Sequence, residues 1–138
     1  MSEQFQTLFS DTVLRERLML VVSPSEVSFS ILERTLERVP NTVLRWHSNT
    51  IEALADIFMS KPDLLVIFGD DNHETLEFAQ LVRNNSDFQE LPIFAVFPEP
   101  LKFRQRFIRH LKISEIFSTP IDTTRLYEQA KVLMDLGE

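Results

Sequence analysis

The chain has 138 residues, enough for one domain with a substantial core, and its 43% hydrophobic and 25% charged content is that of a soluble globular protein. It has no cysteine, which removes disulfides, thiolate metal sites and cysteine nucleophiles, and its two glycines, Gly69 and Gly137, stand apart, which removes glycine-rich phosphate loops. A net charge of −7 argues against nucleic-acid binding, no apolar run approaches the ~20 residues of a membrane span, and Met1 to Phe5 carries no signal-peptide pattern, so a cytoplasmic protein is expected.

Residues 1–16 form an N-terminal extension. Phe5, Leu8, Phe9 and Val13 have helical spacing with polar residues between them. They predict a helix that either tucks against its own domain or docks a partner. Leu18 to Val22 is a continuous apolar run, as expected of a strand buried on both faces. Ser23-Pro24-Ser25-Glu26 has the form of a capping box with Ser23 as the cap. It opens a helix with Phe29, Leu32, Leu36 and Val39 inward, ended by Pro40.

Thr42 to Trp46 reads as the second strand, and Asn49 with Glu52 opens a second helix whose Ile51, Leu54, Ala55 and Phe58 are expected inward. Lys61-Pro62 breaks that helix, and Leu64 to Phe68 is the third strand. A third helix is expected over Glu74 to Asn84, with Phe78, Leu81 and Val82 inward. Pro92 to Phe97 is the fourth strand, followed by a helix through about Lys112. Glu115 to Phe117 is a short fifth strand, and Asp122 caps a last helix with Leu126, Ala130 and Leu133 inward. Five strands alternating with five helices imply an α/β fold: a parallel sheet covered on both faces, in the flavodoxin-like order 2-1-3-4-5.

Pro62-Asp63-Leu64-Leu65 before the third strand, Leu91-Pro92-Ile93 at the fourth and Pro120 after the fifth give residues 17–138 a resemblance to the receiver domain of bacterial response regulators. The resemblance implies two-component signalling or a phosphorelay. It also places the residues of the receiver reaction, and none of them is present. The acidic pair that holds Mg²⁺ falls on Ser23 and Pro24, neither of which suits a hard cation. The phosphoacceptor aspartate falls on Phe68, the Ser or Thr ending the fourth strand on Phe97, and the Lys before the proline on Thr119. The aromatic switch position falls on Ile116. This pattern resembles a pseudo-receiver: no enzyme, no cofactor and no metal, with the rings of Phe68 and Phe97 meeting above the sheet to seal the former phosphate hollow.

Two other functions stay open. Asp70 and Asp71 lie just beyond Phe68 and would serve a response regulator with a displaced acceptor, although loop acids at a helix start are ordinarily solvated. A small-molecule sensor would need an open cavity between Phe68 and Phe97. The fourth predicted helix, residues 101–112, carries five Lys or Arg and no acid, leaving −12 on the remaining chain. Lys102, Arg106 and Arg109 share one face with Lys112 beside them, opposite Phe103, Phe107 and Leu111. Receivers use their fourth helix, fifth strand and fifth helix to dimerise and dock partners, so the resemblance and the charge point to one face. The expected partner is a protein or a second copy (a homodimer), with no nucleic acid and no membrane contact.

Overall fold

A computed structural model of the protein describes residues 16–69, 72–97 and 109–136. The elements are β1 (Arg17–Val22), α1 (Glu26–Leu36), β2 (Thr42–His47), α2 (Thr50–Ser60), β3 (Leu64–Phe68) and α3 (Asn72–Arg83). A 3₁₀ turn (Ser86–Phe88), β4 (Ile93–Phe97), a helical turn at 109–111 (α4), β5 (Glu115–Ser118) and α5 (Thr123–Leu136) complete them. The N-terminal extension to residue 15 and most of the basic segment, including Lys102 and Arg106, lie outside the described residues, as do Asp70 and Asp71.

The strands pair in parallel in the order β2-β1-β3-β4-β5, as expected. In β3 and β4 every residue is buried, so each strand feeds two cores. Met19, Val21, Leu64, Val66, Phe68, Phe94, Val96 and Phe117 face α1 and α5, meeting Leu32, Leu36, Leu126 and Ala130. Leu20, Val22, Leu65, Ile67, Ile93, Ala95 and Phe97 face the other way, meeting Ala53 and Ile57 of α2 and Leu76, Phe78, Ala79 and Val82 of α3.

Local chemistry sets the helix boundaries. Asn49 caps α2, its side chain accepting from the N–H groups of Ile51 at 2.7 Å and Glu52 at 3.1 Å. Asp122 caps α5 by accepting from Arg125 N–H at 3.1 Å. The cap of α1 is Ser25, not Ser23: its Oγ accepts from Ser28 N–H at 3.2 Å, and Pro24 stays outside the helix. α2 departs from expectation in part. Ala53 and Ile57 are its buried residues, Leu54 is half-buried and Ile51 and Ala55 are exposed, whereas Phe58, 40% exposed, stacks its ring on the buried Phe88 with centroids 5.5 Å apart. In α3, Leu81 is exposed while Leu76 and Ala79 take the inward positions.

A polar cluster fixes the orientation of α2. Arg45 and His47, on the edge strand β2, reach the Asp56 carboxylate at 2.6 and 2.7 Å, and the Ser60 hydroxyl donates to the same carboxylate. Burial opposes the ionisation of Asp56, but the hydrogen bonds from Ser60, Arg45 and His47 and the Arg45 charge outweigh it, holding the carboxyl at about 2 rather than 3.8. A depressed carboxylate contributes stability that is complete above its ordinary value and is lost as pH falls through the lowered one. Asp56→Asn should therefore cost about 1–2 kcal/mol at neutral pH, and the gap between variant and parent should close as pH falls from about 4 to about 2. Urea unfolding across that range measures it, and a pH-independent gap would refute the ionic account.

Candidate functional site

In an α/β sheet of this kind, ligands and reactions belong at the carboxyl ends of the strands. Here β1, β3, β4 and β5 end at Val22, Phe68, Phe97 and Ser118. The register places Val22 opposite Ile67, and Phe68 opposite Val96. The positions singled out in the sequence, Ser23, Pro24, Phe68, Phe97, Thr119 and Ile116, thus gather at or next to one edge of the sheet.

Their side chains do not form one group. Phe68 sits one residue short of Phe97 in the β3–β4 register, so the pleat turns the two rings to opposite faces. Phe68, 7% exposed, packs into the core under α1 and α5, whereas Phe97, fully buried, packs into the core under α2 and α3. The expectation that the two rings meet above the sheet is therefore wrong. Among the described residues the two rings therefore border no common hollow.

Ser23 is fully buried, and all three of its polar groups are engaged. Its N–H donates to the His47 carbonyl at 3.0 Å, its Oγ–H donates to the Ser25 carbonyl at 3.2 Å, and its own carbonyl accepts from Trp46 Nε1 at 3.0 Å. The Trp46 ring in turn stacks on Phe29 with centroids 5.1 Å apart. The turn after β1 is thereby latched to β2 and α1. Pro24 is exposed beside it. Thr119, also exposed, donates its N–H to the Phe97 carbonyl at 3.2 Å, and its peptide bond to Pro120 is cis. Ile116 is half-buried against the α2–α3 core.

An open cleft among the described residues adjoins this edge, with a volume of about 360 Å³. Pro24, Phe68 and Gly69 border it, with Ser48 to Ile51 at the start of α2 and Glu74, Thr75 and Phe78 of α3. Sequence reasoning missed it, because it lies between the N-terminal ends of two helices and no motif marks it. Among the described residues, no three His, Asp or Glu side chains gather as a metal site. The His47–Asp56–Ser60 cluster has the composition of a hydrolytic triad without its connectivity. The serine hydroxyl bonds the carboxylate rather than the imidazole, so nothing activates it as a nucleophile.

The described end of the basic segment is well anchored. Leu111 is fully buried, and the Arg83 guanidinium donates to the carbonyls of Leu111 at 2.7 Å, Phe88 at 2.5 Å and Lys112 at 3.1 Å. Burial pushes the Arg83 guanidinium down, with Glu90 acting against it. Arg109, His110 and Lys112 are exposed, and the Lys112 ammonium makes a solvent-exposed contact with Glu90 at 3.4 Å. On the neighbouring edge, Arg125 of α5 joins Glu115 at 3.1 Å, donates to the Ile116 carbonyl at 2.6 Å and lies 4.2 Å over the Phe117 ring.

Comparison with solved structures resolves the architecture. The chemotaxis protein CheY4 of Vibrio cholerae superposes with a TM-score of 0.73 at 17% identity, covering 86% of this chain and 98% of that one. The fold is that of a response-regulator receiver domain. The receiver domain of a DNA-binding response regulator from Colwellia psychrerythraea gives a TM-score of 0.75 at 17% identity, covering 87% and 99% of the two chains. A response regulator from Chloroflexus aurantiacus, itself described as putative, gives 0.72 at 19% identity, covering 88% and 99%. No known protein family and no curated protein matches at the level of sequence. No helix among the described residues is long and apolar enough to cross a membrane.

Because Phe68 and Phe97 share no packing layer, their truncations should act independently. Phe68→Ala and Phe97→Ala should each destabilise the domain by ~3 kcal/mol, and the double variant should equal the two effects combined to within ~0.5 kcal/mol. A coupling energy well above that in denaturant unfolding would mean that the rings touch.

Proposed function

We propose that this receiver-fold domain is a signalling module that acts by binding proteins and is not phosphorylated at the position receivers use. The observation that carries the reading is Phe68. At the carboxyl end of β3, where the fold positions a nucleophilic carboxylate, stands a phenyl ring 7% exposed and committed to the core. A phenyl ring neither accepts phosphate nor binds a hard cation. Ser23 supports the same reading, since its three polar groups already serve the turn.

Incubation with a small phosphodonor and Mg²⁺, followed by intact-mass measurement, should leave the mass unchanged. A phosphate-sized gain would overturn the reading. Its loss on Asp70→Asn or Asp71→Asn would identify the displaced acceptor.

The binding face in this reading joins residues 101–112 to β5 and α5, with Lys102, Arg106, Arg109 and Lys112 meeting an acidic surface on a protein partner or on a second copy. The chain itself offers −12 outside this segment, and the exposed ends of Arg109 and Lys112 support the assignment. Replacing Lys102, Arg106 and Arg109 by Glu should weaken self-association or partner retention by about tenfold while leaving the unfolding midpoint in place. Unchanged sedimentation and unchanged retention would rule this face out.

A further inference from the structure

The cleft beside Phe68 follows from the winding of the sheet. β1 and β3 are neighbours, yet β1 leads into α1, which packs with α5, whereas β3 leads into α3, which packs with α2 on the other face. Two connections that leave adjacent strands for opposite faces part at the strand ends, and a crevice opens between them. The turns at the parting carry Pro24, whose compact ring is exposed, and Gly69, which has no side chain to fill the space. The resulting volume of about 360 Å³ lies within the range of small-molecule pockets, about 300–1,000 Å³.

Its lining is divided by chemistry. Val22, Ile67 and Phe78, each at most 4% exposed, give an apolar floor. Ile51 stands at the mouth, 78% exposed. It cannot turn inward, because Asp56 is held by Arg45 and His47 and the Phe58 ring stacks on Phe88, which together fix the rotation of α2. Ser48, Asn49 and Thr50 make a polar rim beside it. Asn49 commits its side-chain oxygen to the N–H groups of Ile51 and Glu52, which leaves its NH₂ group as a donor. The same cap occupies N–H groups of α2 that would otherwise favour an anion. The lining residues include no Lys, Arg or His, whereas Glu74 brings a carboxylate. A phosphate or carboxylate entering here would lose water without meeting a cation.

We propose that this cleft binds a small uncharged molecule of about one or two rings, with its apolar body between Ile51 and the floor and a carbonyl or hydroxyl oxygen at the Asn49–Thr50 rim. The exposure of Ile51 then has a use, since an apolar side chain above an apolar floor is covered when such a ligand enters. The site is separate from the basic face on residues 101–112, and neither depends on the other.

Coumarin, a neutral two-ring lactone, and coumarin-3-carboxylate, the same rings with a negative charge, test both halves of the proposal. In the full-length protein with labelled Ile and Val methyl groups, coumarin is titrated to ~10 mM, the affinity range of a fragment this size. It should shift the NMR signals of Val22, Ile51 and Ile67 saturably, while Val27 and Ile31, exposed on α1 across the sheet, stay in place. The carboxylate should bind at least ~10-fold more weakly. Ile51→Asp changes an exposed position, so it should weaken coumarin binding about tenfold and leave the unfolding midpoint unchanged. Absent or unsaturable shifts, shifts that extend to Val27 and Ile31, equal binding of the two probes, or undiminished binding by Ile51→Asp would each overturn the proposal.

Discussion

A parallel strand covered on both sides sends alternate side chains into different cores, and the rest of this molecule depends on that constraint. β3 and β4 have no solvent face, so each residue belongs to the layer of α1 and α5 or to the layer of α2 and α3. A change of one residue in register exchanges the layers. The offset between β3 and β4 therefore decides what the carboxyl edge contains. Phe68 pairs with Val96 rather than Phe97, and two rings at the ends of neighbouring strands become parts of two separate cores.

Much of the fold was legible in the sequence because the strands are short apolar runs bounded by breakers. Leu18 to Val22, Leu64 to Phe68 and the run after Pro92 each announce a strand buried on both faces, and their alternation with helical segments leaves few topologies. Asn49 and Asp122 declare their helices through side chains that satisfy free N–H groups. The phase of α2 was not legible. Thr50 to Ser60 is apolar nearly all round, so two faces satisfy the helical period, and the choice between them falls to Asp56 meeting Arg45 and His47 across the edge strand. That pairing is a tertiary contact with no local signature. Ser23 and Ser25 present the same ambiguity on a smaller scale: both can cap a helix, and burial of Ser23 beneath Trp46 assigns the cap to Ser25.

At the carboxyl edge, the sequence named the positions and the structure supplied their environments. The residues fall where a receiver-fold sheet would gather them, but their packing is not a single plug. One ring supports each layer, the turn after β1 is latched by Trp46, and a cleft remains beside Phe68 between the ends of α2 and α3. Rigid strand ends next to an open cleft place order and accessibility side by side.

The latch at Ser23 bears on how far this edge can be altered. A carboxylate installed there would enter a fully buried position whose N–H, carbonyl and hydroxyl now join β1 to β2 and to the start of α1. It would bring an uncompensated charge and displace the hydroxyl's bond to Ser25. Exchanging Phe68 for an acid would meanwhile hollow the other core. Each step toward a phosphate-handling edge first loosens the scaffold that would have to hold it. Installing that chemistry would therefore involve the turn, the Trp46 contact and the strand end together.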